Sequence, residues 1–280
     1  MSEQTMAGRT VLVTGASDGI GAETARVLAA SGATVLVTGR SADKLRPVAE
    51  AVGTEPLVAD FSRLDDVRRL ADQVGERVGT LDVLMNNAGG MFAPSKKTSD
   101  GHEPNFQVNH LAPFLLTNLL HAQLAAARSS LVVNTSSVAN LMGKVVLDDL
   151  DYEHRRAIEF PAYGTGKLMN ILFTRGIAQR WSADGIVSAA VHPGPVGSSF
   201  GRDSWFVGLL YRSPLKRFAT ISVPDGAAPL VALAERGPDP EIDGLYFSRF
   251  TAHGRENKQA RDQKVIDGLW ERSAALVGLT

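Results

Sequence analysis

Thr10-Val11-Leu12-Val13-Thr14-Gly15-Ala16-Ser17-Asp18-Gly19-Ile20-Gly21 is the stretch that decides the fold of this chain. Its first five residues are β-branched or aliphatic, as a buried strand prefers, and the glycines that follow break the run into a turn. Ala22-Glu23-Thr24-Ala25-Arg26-Val27-Leu28-Ala29-Ala30 then has helical length and apolar spacing. A strand turning straight into a helix is half of a crossover unit in a parallel sheet. Further strands are expected near Thr34–Thr38, Pro56–Asp60, Leu81–Asn86, Ser130–Thr135, Val187–His192 and Leu245–Phe247. Pro56 lacks an N–H, so it can only open its strand. Between them, Leu64–Val78, Phe106–Ala127, Ala162–Trp181 and Pro224–Glu235 read as helices. No linker or repeat interrupts the alternation. The expectation is an α/β fold, one domain over 1–280, with a doubly wound parallel sheet of about seven strands and helices on both faces.

Composition narrows the function. A hydrophobic fraction of 44% with 21% charged residues is that of an ordinary soluble globule. The formal net charge of −1 gives no electrostatic footprint for nucleic acid or an anionic membrane. With no cysteine there is no disulfide, thiolate nucleophile or zinc–thiolate site, and no metal is expected. The polar Met1-Ser2-Glu3-Gln4-Thr5 leaves no room for a signal peptide and no apolar run spans a bilayer, so the expected location is the cytoplasm.

Three further patterns carry chemistry. Helix N-termini present free N–H groups to phosphates, and the glycines of the Gly15–Gly21 turn allow close approach of a pyrophosphate. Leu131-Val132-Val133-Asn134-Thr135 ends in Ser136-Ser137, two hydroxyls at the edge where open α/β sheets bind ligands. Tyr163 and Lys167 stand four apart, on one face of a helix. An ammonium beside a phenol favours the phenolate, bringing a group of ordinary pKa about 10 toward general acid–base work.

Gly15-x-x-x-Gly19-x-Gly21, joined to Asn86-Asn87-Ala88-Gly89, Ser137 and Tyr163/Lys167, resembles the short-chain dehydrogenase/reductases over nearly the whole chain. The resemblance implies a Rossmann-type fold and a nicotinamide dinucleotide. It implies cofactor contacts from Gly15, Ser17, Asp18, Gly19, Ile20 and Gly21, from Asp60 and Phe61 at the adenine edge, and from Asn87, Ala88 and Gly89 behind the adenosine ribose. Pro193, Gly194, Val196 and Ser198 would orient the carboxamide. Ser137 would hydrogen-bond the substrate carbonyl, with Ser136 as the alternative if the register slips by one. Tyr163 would supply the proton, and Lys167 would hold the nicotinamide ribose and lower the Tyr163 pKa. Asn109 would hold a water against the lysine through a distorted helix. The second strand ends Val37-Thr38-Gly39-Arg40, with an arginine where an acid would repel a 2′-phosphate, which favours NADP(H) over NAD(H). Asp18 stands where many NADP-preferring relatives carry a second basic residue.

From Ser137 to Tyr163 the chain runs 26 positions, about twice the gap of compact relatives. That insertion is similar to the retinol dehydrogenase and protochlorophyllide reductase branch, which acts on large apolar ligands. Trp205, Phe206, Leu209 and Leu210 suggest a substrate lid around 198–217, the alternative being an amphipathic helix packed on the core or on a partner subunit. The expectation is a carbonyl reductase or alcohol dehydrogenase for a bulky apolar substrate. A non-catalytic NADP(H)-binding sensor or scaffold and a C=C reductase are the alternatives. A monomer is favoured because the insertion can cover the usual dimer face, and a mass of twice the chain by light scattering would overturn this.

Overall fold

β1 (Thr10–Thr14) leads through the glycine turn into α1 (Gly19–Ala30), in a computed structural model that describes residues 5–94, 96–196 and 220–279. There follow β2 (Thr34–Gly39), α2 (Ala42–Val52), β3 (Leu57–Val58), α3 (Leu64–Arg77) and β4 (Val83–Asn86). A short α4 (Pro104–Phe106), a π-helical turn Gln107–Leu111, α5 (Ala112–Leu119) and α6 (His121–Ala126) precede β5 (Ser130–Thr135). α7 (Glu159–Trp181), β6 (Ile186–His192), α8 (Val223–Arg236), β7 (Leu245–Ser248), β8 (Thr251–Ala252) and α9 (Gln263–Leu276) complete the described chain.

The sheet order is β3-β2-β1-β4-β5-β6-β7-β8, parallel except for the β7–β8 hairpin. Strand residues alternate between two cores, as a pleated sheet covered on both faces requires. Leu12, Leu36, Leu84 and Val132 pack with α3, α5, α7 and α9, whereas Val11, Val13, Val35, Val37 and Val133 pack with α1, α2 and α8.

The differences from expectation have local causes. The eighth strand is two residues long, below the reach of any periodicity, and turns at Arg249 with φ 55° rather than at a glycine. α2 carries Pro47 inside it, which disguises it as a loop. The continuous helix expected over Phe106–Ala127 widens to a π turn because Pro113 has no N–H to give the Asn109 carbonyl four residues earlier, and Gln107 O instead accepts from Ala112, five residues on; it breaks at Leu120, where ψ is 7°.

The insertion before α7 is fastened down rather than loose. Arg155 Nε lies 3.2 Å from Asp149 Oδ2, its guanidinium stacks 3.9 Å above the Tyr152 ring, and Tyr152 Oη donates to Thr165 Oγ1 at 2.9 Å. Trp270 of α9 packs edge-on to Phe114 and Trp181, at 5.1 and 5.4 Å between ring centres. α7 is thereby buried along most of its length.

Candidate active site

A cleft of about 1280 Å³ runs along the carboxyl ends of the parallel strands, where crossovers on both faces leave a crevice. Its floor at one end is the glycine turn. Gly15 has φ 66°, and a Cβ there would lie 2.7 Å from Ala88 Cα, so only glycine lets β1 and β4 close on one another. Asn87 fixes the same corner, its Nδ2 donating to Thr14 O at 2.9 Å, while Thr14 Oγ1 accepts from the Asn87 and Ala88 N–H groups. Asp18 caps α1 by accepting from Gly19 N at 2.7 Å. Ser17, Ile20 and Gly21 line this end with them.

Arg40 lines the cleft at the end of β2, with Asp60 and Phe61 beyond it. The Asp60 carboxylate is turned inward to its own loop, accepting from Ser62 N at 2.9 Å and Ser62 Oγ at 2.8 Å. Two cations missed in the sequence reading join Arg40 here: Lys44, in the first turn of α2, and Arg63, at the start of α3. Lys44 had a signal, since it follows Arg40 by four; Arg63 had none, because only the fold of β3 brings it round.

The other end holds the serine, tyrosine and lysine. The serine register is decided by where each hydroxyl points. Ser136 is buried and donates to Lys167 O at 2.7 Å, so its Oγ is spent on α7. Both serines line the cleft, but it is the Ser137 hydroxyl that is hydrogen-bonded to the Tyr163 phenol. Burial pushes the Tyr163 phenol up, and the Ser137 bond only partly offsets this. The expected lowering by Lys167 is not what the geometry gives. Lys167 Nζ sits 5.7 Å from the centre of the tyrosine ring, donates to Thr135 O at 3.0 Å, and is itself lowered by burial to about 8.

Asn109 does not line the cleft. It lies wholly buried behind it, accepting from Gly90 N at 3.1 Å and donating to Gly90 O at 2.9 Å. Asn105, one turn earlier and unforeseen, makes the same paired bonds to Phe92, 2.9 Å from its N and 2.8 Å from its O. The two amides thus clamp the loop after β4 to α4 and the π turn. Gly89 must be glycine in this corner, because a Cβ would stand 2.5 Å from Asn109 Oδ1 and 3.1 Å from Lys167 Nζ. Gly89, Pro193, Gly194 and Val196 line the cleft, while Ser198 and the lid around 198–217 lie outside the described residues. His192 also lines it, with burial and the Arg249 charge holding its imidazole near 4 and so neutral.

A glycine floor that a Cβ would close, a capped helix N-terminus and a buried ammonium at the far end suit a dinucleotide stretched along the cleft. The short chain dehydrogenase family model matches residues 9–205, more than half of the chain. This chain belongs to the short-chain dehydrogenase family. It is 39% identical to mouse (Mus musculus) retinol dehydrogenase 12, over 97% of this chain and 87% of that protein. It is 38% identical to DnrU of Streptomyces sp. (strain C5), a proposed daunorubicin C-13 ketoreductase, over 98% of this chain and 94% of the relative. A solved structure from Mycobacterium paratuberculosis, of an uncharacterised protein, superimposes with a TM-score of 0.79 at 32% identity, covering 97% of this chain and 94% of the other. The short-chain dehydrogenase is therefore an oxidoreductase of the retinol dehydrogenase-like branch, a nicotinamide cofactor binder acting on small-molecule carbonyl or alcohol substrates. Among its described residues no helix is long and apolar enough to cross a membrane.

Proposed function

We propose that this enzyme is an NADP(H)-dependent carbonyl reductase or alcohol dehydrogenase for a bulky apolar substrate, working in the direction of reduction. The observation that carries the reading is the hydrogen bond between Ser137 and Tyr163 on the wall of the cleft, with Lys167 one helical turn on. The nicotinamide, when bound, supplies the hydride. Ser137 and Tyr163 would both bond the carbonyl oxygen on which negative charge builds, Tyr163 passing its proton to that oxygen. A phenol whose pKa is raised by burial stays protonated, ready to act as the acid. Lys167 would direct its donors to the ribose hydroxyls, and its charge there would ease the loss of the tyrosine proton.

Arg40, Lys44 and Arg63, with no acid at the end of β2, support a 2′-phosphate at the adenosine end. Met91, Phe92, Val138 and Phe160 line the substrate end, and Val138 and Phe160 remain 54% and 42% exposed, which supports a large apolar partner. NADPH and NADH oxidation over a panel of bulky aromatic and alicyclic ketones tests the reading. Turnover with NADPH that vanishes in Tyr163→Phe, and a preference for NADPH over NADH that falls roughly tenfold in Arg40→Ala, is the expected result. Tight NADPH binding with no turnover on any ketone or enone would favour the sensor reading instead.

A further inference from the structure

β5 ends in a carbonyl that the sheet does not use. Ser136 N–H reaches Val191 O on β6 at 2.8 Å, so the carbonyl of the preceding residue, Thr135, points the other way, toward β4. There the ladder has stopped. β4 and β5 are in register up to Asn86 opposite Asn134, and the next donor in line, the Ala88 N–H, is given to Thr14 Oγ1 at 2.9 Å. Thr135 is buried, so its carbonyl depends on side chains for partners. Two reach it, both from α7: Lys167 Nζ at 3.0 Å and Asn170 Nδ2 at 2.9 Å.

Asn170 is an expensive residue to place here. It is 3% exposed, and its Oδ1 has no hydrogen-bond partner among the described residues. A buried amide satisfied on one side only is a poor choice for packing and calls for another explanation. It does not line the cleft, so it does not touch what binds there. What it provides is a second donor to a carbonyl that Lys167 also uses. A carbonyl oxygen accepts two hydrogen bonds, and with Asn170 in place it stays paired when the ammonium turns away.

We propose that Asn170 is a positioning residue for Lys167, keeping the Thr135 carbonyl satisfied so that the lysine ammonium can leave it for the ribose hydroxyls of the dinucleotide. This rests on the role given to Lys167 above. Without Asn170 the ammonium becomes the carbonyl's sole partner. Moving it into the cleft then strands a buried acceptor, and that penalty is charged to cofactor binding.

The test is a fluorescence titration of NADPH against the full chain as wild type, Asn170→Ala, Lys167→Ala and the double variant. Asn170→Ala is expected to weaken binding roughly tenfold, the cost of one stranded buried acceptor. The same substitution is expected to have no effect in the Lys167→Ala background, because it acts through the lysine. Equal losses in both backgrounds, or no loss in Asn170→Ala while Lys167→Ala binds weakly, overturn the proposal alone. Lys167→Ala binding NADPH like wild type overturns the role of Lys167 and the proposal with it. Should Asn170→Ala not purify folded, the same cycle is run with Asn170→Leu, which fills the space of the amide without a donor.

Discussion

At the scale of single residues, neighbouring serines have been given different work by the directions of their hydroxyls. Both line the cleft, but Ser136 ties β5 to the backbone of α7 while the Ser137 hydroxyl meets the Tyr163 phenol. Ser137→Ala should therefore lower kcat/KM by about 10²–10³, the usual loss for removing a donor to a developing oxyanion. Ser136→Ala should cost about 1 kcal/mol of stability, as for a typical internal hydrogen bond, with little change in turnover per folded molecule. Steady-state assays paired with urea melts separate the two. A larger catalytic loss in Ser136→Ala would reverse the assignment.

At the scale of elements, the π turn and the loop after β4 act as a unit. Asn105 and Asn109 stand four apart, and their amides bond in pairs to Phe92 and Gly90, two apart on the loop. Glu103 steadies Asn105, its buried carboxylate accepting from Asn105 Nδ2 at 2.8 Å and from Phe106 N at 2.7 Å. The insertion joins in as well, because Asp151 accepts from Glu103 N at 2.9 Å and lies 2.7 Å from His102 Nδ1. Asn105→Ala would leave two backbone groups of Phe92 without partners at a cost of about 1–3 kcal/mol. The expected outcome is a lower melting temperature together with faster amide hydrogen exchange confined to 89–93. Exchange that rises evenly over the whole sheet would show that the amide serves general stability rather than the loop.

At the scale of the whole molecule, the buried lysine opposes folding. Burial lowers Lys167 to about 8, whereas an unfolded lysine titrates near 10.5. Between those values the unfolded chain holds the proton and the folded chain does not, so this group makes stability rise with pH across the window from 8 to 10.5. Below the lower value the folded protein carries the full penalty of a buried charge. Lys167→Met should consequently be more stable than wild type at pH 7, by on the order of 3 kcal/mol, and the gain should shrink toward pH 10.5. Urea denaturation of both proteins at pH 7 and pH 10 measures the difference. A gain that does not change with pH would mean that better packing, not the removal of charge, is responsible. A cost of this kind fits the role proposed for Lys167, since activity and stability commonly conflict at a functional site.

The sequence by itself determined the strand–turn–helix at Thr10–Ala30, the alternation behind the parallel sheet, and the Tyr163/Lys167 pair on one helical face. These are properties of short stretches, set by side-chain periodicity, by the conformational freedom of glycine and by the helical repeat. Tertiary structure alone decided which partners the polar groups take. Ser136 or Ser137, Asn109 in the cleft or behind it, and Lys167 turned to Tyr163 or to Thr135 are choices between atoms far apart in the chain. Arg63 came to the Arg40 end of the cleft only because β3 folds against β2. The physical reason is that a hydrogen bond is fixed to within a few tenths of an ångström and a few tens of degrees. A residue's identity states what it can donate or accept, and only the packed sheet and helices fix where its partner stands.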